Sequence, residues 1–76
     1  MNKERRKAIA EAVALLEQAK GILETARDEE QEALDAMPDA LRESERGQAM
    51  EAAYDNLDCA CAELDSVLQQ AEDAAA

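Results

Sequence analysis

Met37-Pro38-Asp39-Ala40-Leu41-Arg42-Glu43-Ser44 is the stretch on which the fold turns. Proline has no amide hydrogen and its ring collides with the carbonyl one helical turn back, so a helix arriving from the N-terminal side has to stop near residue 36. Ser44 carries a hydroxyl that can accept from an orphan amide of the next turn and so begin a second helix. A rival boundary makes Pro38 the first position of that second helix, with one helical turn before Ser44. The expected elements are a helix over about 3–36 capped by Asn2, a turn over 37–44, and a helix over 45–74.

Outward from the turn, both halves read as heptads. With Ile9 at position a, the a positions run Ile9, Leu16, Leu23, Glu30, Met37 and the d positions run Ala12, Ala19, Ala26, Ala33. The second half gives a at Met50, Leu57, Leu64, Ala71 and d at Ala53, Ala60, Val67, Ala74. Pairing the halves antiparallel, with residue numbers summing to 83, sets Ile9 against Ala74, Leu16 against Val67, Leu23 against Ala60 and Ala33 against Met50, so that large mostly faces small. The pairing centre falls between Leu41 and Arg42, inside the turn already chosen from its proline. The predicted fold is therefore all-α: one antiparallel helical hairpin spanning residues 1–76, with a heptad seam of alternating large and alanine layers.

The apolar stripe is wider than that seam needs. Val13, Leu34, Leu15 and Ile22 lie beside it on the first helix, and Tyr54, Cys61 and Leu68 on the second. A hairpin alone leaves such a flank wet, which predicts a homodimer closing as a four-helix bundle. Size argues the same way, because a chain of 76 residues buries a small share of its surface and needs a disulfide, a metal or a partner. Cys59 and Cys61, two apart on a helix, point to nearly opposite faces and cannot join. The absence of histidine rules against a tetrahedral zinc site, so no metal or cofactor is expected. Cys59 reads as a surface thiol and Cys61 as a flanking core thiol, with Tyr54 as a packing residue whose hydroxyl reaches the rim.

The net charge of -11 is uneven. Lys3, Arg5, Arg6 and Lys7 gather at the start, whereas residues 37–76 set only Arg42 and Arg46 against ten acids. Direct binding to nucleic acid or an anionic membrane needs clustered positive charge, so neither is expected, and the balance favours a basic protein partner or none. The basic start is followed by no apolar signal core, and no stretch is long enough to cross a bilayer, which places the chain in the cytoplasm with reduced thiols.

No catalytic constellation is visible: there is no histidine, no glycine-rich phosphate loop and no nucleophile elbow, so the chain is not expected to be an enzyme. The candidate binding residues are acidic. Glu51, Asp58 and Asp65 recur every seven residues together with Glu72, and Asp28, Glu29, Glu32 and Asp35 crowd the end of the first helix. A rigid helix studded with carboxylates can imitate phosphates and occupy a basic groove on another protein, though the same pattern also describes an ordinary solvated helix face. Arg5, Arg6 and Lys7 form an alternative site, able with symmetry mates to hold a small anionic ligand such as a cyclic nucleotide. Glu30 is the single charged residue at an a position, read either as a specificity device or as a side chain reaching water near the tip. Lys20 and Arg27 flank the seam, where long stems lie over apolar neighbours while the charges stay solvated.

The run from Glu29 to Pro38, then Leu41, Ser44-Glu45-Arg46-Gly47 and Asp55-Asn56-Leu57-Asp58, with Arg5-Arg6 and Ile9 at the start, resembles a pattern found in small helical proteins of bacteriophages and prophages. The resemblance covers nearly the whole chain, and departs at Cys59-Ala60-Cys61, where such proteins more often carry acidic and small residues. It implies a phage accessory protein of the kind that disables host defences, as anti-CRISPR proteins, acidic nucleic-acid mimics and oligomeric nucleotide sponges do. A structural or assembly protein of the virion is the remaining alternative, with the apolar flank as its partner surface.

Overall fold

Local signals set the ends of each helix. In the computed structural model, which describes residues 2–76, the Asn2 side-chain oxygen accepts from the Arg5 amide at 2.8 Å and begins α1 (Lys3–Asp35). That helix ends three residues before Pro38, with the Ala36 and Met37 amides still donating to the Glu32 and Leu34 carbonyls at 3.1 Å. Pro38 is extended, and its carbonyl accepts from the Leu41 and Arg42 amides at 3.0 Å to open a single turn, α2 (Asp39–Arg42). Ser44 then caps α3 (Glu45–Ala75): its hydroxyl oxygen accepts from the Gly47 amide at 3.3 Å and its hydroxyl donates to the Leu41 carbonyl. The reversal thus contains the helical turn of the rival boundary, as a separate element with Pro38 just outside it.

α1 and α3 pack lengthwise as a hairpin, 33 and 31 residues long, in a rod measuring 58 × 14 × 13 Å. The radius of gyration is 17.2 Å, where a compact chain of this length has roughly 11 Å. Among the described residues there is no strand, and no helix long and apolar enough to cross a membrane.

The seam keeps one of its two expected rows and changes most of the other. Ile9, Leu16, Leu23, Met50, Leu57, Leu64 and Ala71 of the expected a row are half-buried, as are Ala26 and Ala60 of the d row. Ala12, Ala19, Ala33, Ala53 and Ala74, expected inside, are exposed, whereas Val13, Leu34, Tyr54, Cys61 and Leu68, expected on the flank, turn inward. Leu34, Cys61 and Leu68 are the most buried hydrophobic side chains, at 2%, 3% and 9% exposure. Inward positions on α1 run Ile9, Val13, Leu16, Lys20, Leu23, Arg27, Glu30, Leu34, and on α3 Met50, Tyr54, Leu57, Cys61, Leu64, Leu68. The spacing is still that of a heptad, alternating three and four, but the rows are rotated toward the larger side chains. The reason is area: a stripe three rows wide offers two ways to choose a seam, and the choice with Leu, Val, Tyr and Cys removes more apolar surface from water than the choice with Ala. Away from Ala26 and Ala60, packing of large residues against alanine gives way to packing of large residues against one another.

Interhelical ion pairs mark the register. Lys20 pairs with Asp65, and Arg27 with Asp58 at 3.3 Å, so paired numbers sum to 85 and the centre lies between Arg42 and Glu43, one residue beyond its expected place.

At the tip, Gly47 is buried because the backbone of Arg42 occupies the space a side chain would need. A β-carbon there would lie 2.6 Å from the Arg42 carbonyl carbon and Cα, and closer still to its carbonyl oxygen. Only glycine lets the end of α2 sit on the first turn of α3.

Candidate binding faces

The rotation of the seam gives the hairpin two unlike sides. With Val13, Lys20, Arg27 and Leu34 as one inward row and Ile9, Leu16, Leu23 and Glu30 as the other, helix geometry of about 100° per residue puts Glu17 and Glu24 on one flank of α1 and Ala12, Ala19, Ala26 and Ala33 on the other. On α3 the same geometry puts Glu51, Asp58, Asp65 and Glu72 on one flank and Ala53, Ala60, Val67 and Ala74 on the other. In an antiparallel pair like flanks come together, so the rod has an acidic side and an apolar side.

The acidic side is built around two cations. Lys20 and Arg27 stand in the seam with side chains only 25% and 24% exposed, their stems among apolar neighbours and their heads leaving toward α3. Asp65 hydrogen-bonds the Lys20 ammonium, which raises the lysine pKa above its ordinary 10.5 against a smaller opposing effect of burial. Arg27 bonds Asp28 on its own helix at 3.2 Å as well as Asp58, and the Asp28 bond is the main reason its pKa is raised. Arg42 of the tip pairs with Glu51 at 3.5 Å.

Of the acids predicted to meet a partner, Asp28, Asp58, Asp65 and Glu51 are therefore brought to one side, each bonded to a cation. Asp35 accepts from the Gln31 amide at 2.9 Å. Glu29 is elsewhere: it lines a shallow groove on the outside of α1 with Gln18, Gly21, Ile22, Thr25 and Ala26. Glu32 is exposed on the outer surface of α1. The predicted set thus divides. Glu17 and Glu24 belong to the acidic side and were missed, because the expected seam placed them away from the rows of α3.

Arg5, Arg6 and Lys7 are exposed at the open end of the rod, and no ion pair among the described residues involves them. Glu30 lies half-buried in the seam. Cys59 is exposed and Cys61 buried, and both are free thiols. Among the described residues no group of carboxylate and thiol side chains is arranged to hold a metal ion.

The apolar side carries Leu15 at 62% exposure, Ile22 at 70% and Val67 at 44%. From Ala12 to Ala33 on α1 and from Ala53 to Ala74 on α3, the flanking row nearest the seam holds only alanine and valine. Compared with known protein families, characterised proteins and solved structures, the chain matches none.

Proposed function

We propose that this chain is a non-enzymatic interaction protein of a phage or prophage that inhibits or sequesters a component of host defence, acting as a homodimer whose acidic sides occupy a basic groove on the target. The observation that carries the reading is one side of a 58 Å rod on which both helices contribute carboxylates. Lys20 and Arg27 pair with Asp65, Asp28 and Asp58, which draws these carboxylates to one side of the rod. An anionic ligand bound by Arg5, Arg6 and Lys7 is the competing reading, supported by the exposure of all three.

Affinity capture from host lysate, with and without infection, tests the first reading. The wild type is expected to retain a basic protein that elutes as salt rises, and the combined variant Asp28→Asn, Asp35→Asn, Asp58→Asn, Asp65→Asn to lose it. Asparagine keeps the size of aspartate but not its charge, and Asp58 and Asp65 also pair with Arg27 and Lys20, so circular dichroism on the variant checks that helicity is kept, as the apolar seam is expected to ensure. Equal retention by both proteins rejects the acidic-side mechanism. Heat on titration with cyclic nucleotides, lost in Arg5→Glu/Arg6→Glu, would support the competing site instead.

A further inference from the structure

We infer that a second copy of this chain seats on the apolar side of the hairpin, with Ala12, Leu15, Ala19 and Ile22 of α1 and Ala60 and Val67 of α3 as the shared surface. The inference rests on the homodimer proposed above and assigns its face.

Area is the first argument. The chain exposes 5601 Å² for a mass of 8.3 kDa. A compact monomer of that mass exposes roughly 4,600 Å², so the hairpin carries an excess on the order of 1,000 Å². That is about what one partner contributes to a stable interface.

Charge chooses the side. A two-fold pair joins a surface to itself. Pairing through the acidic side sets Glu17, Glu24, Glu51 and Glu72 against their own copies in a chain already at -11. Pairing through the other side meets alanine and valine along the whole inner row, with Glu29 and Glu63 only at its outer edge.

Shape completes it. A surface that mates with its own copy needs projections and recesses together. Leu15 and Ile22 project, at 62% and 70% exposure, and Ala12 and Ala19 are the recesses beside them on α1, with the half-buried Ala60 on α3. The alternation of three and four that builds the seam is repeated here on the next face of α1, so α1 has two packing faces sharing an edge, as a helix inside a four-helix bundle must, while α3 adds the single row Ala53, Ala60, Val67 and Ala74.

Sedimentation equilibrium on the full chain, beside the variant Leu15→Glu/Ile22→Glu, tests the assignment. The wild type is expected at twice 8.3 kDa with a melting temperature that rises with concentration. The variant is expected at 8.3 kDa, with dimerisation weakened about 100-fold or more by carboxylates forced into a dry contact, and with its helicity kept because neither residue lies in the seam. A wild type that stays monomeric and folded at every concentration overturns both the dimer and its face. A dimer indifferent to the double substitution overturns the face alone and leaves the dimer standing.

Discussion

Two glycines in this chain have opposite consequences. Gly47 is required, because the Arg42 backbone fills the position of its missing side chain. Gly47→Ala is expected to cost about 1–3 kcal/mol, as overpacking of a tight contact does. Gly21 has open space where a β-carbon would stand, and it sits in the middle of α1. Gly21→Ala is expected to stabilise by about 0.5–1 kcal/mol through helix propensity alone. Urea denaturation followed by circular dichroism checks both, and equal effects of the same sign would contradict the picture of the tip. The difference is invisible in the sequence: each glycine has helical neighbours, and what separates them is a backbone that reaches Gly47 only after the chain has reversed.

Between helices, two cations stand in the seam beside its apolar core. The raised pKa of Lys20 belongs to the folded chain, so its contribution to stability is complete below 10.5, the unfolded value, and is lost as pH rises through the folded one. Stability should therefore decline at strongly alkaline pH, and Lys20→Gln should show a smaller decline over the same interval; identical alkaline limbs would exclude the pair with Asp65 as a contributor. Arg27 stays charged throughout and adds no such dependence. These residues also explain which parts of the hairpin were legible. Pro38, Ser44 and Asn2 announced the helix ends because caps and breaks act locally. The antiparallel fold followed from periodicity. The seam was displaced by one row because Lys20 and Arg27 made the true row look polar, while the alanines of the neighbouring row looked like a clean apolar seam. The charges belong inside only because their stems are long and Asp65 and Asp58 meet them at the edge. The acidic candidates were legible as residues and not as a surface, since the side each occupies follows from the seam.

As a whole molecule the hairpin is a rod with one interior line of contact between α1 and α3, so parting the helices exposes that line directly to solvent. Cys61 is 3% exposed on that line and Cys59, two residues away, is on the surface. A thiol-reactive dye is thus expected to modify one cysteine per chain at once and the second only as the rod opens. The delay between the two is a clock for opening, and immediate modification of both would mean that the interior is not closed. Because both thiols belong to the chain itself, the timer reads any event that clamps the helices together. A target gripping the acidic side, or a twin covering the opposite one, would each lengthen the wait for the hidden sulfur.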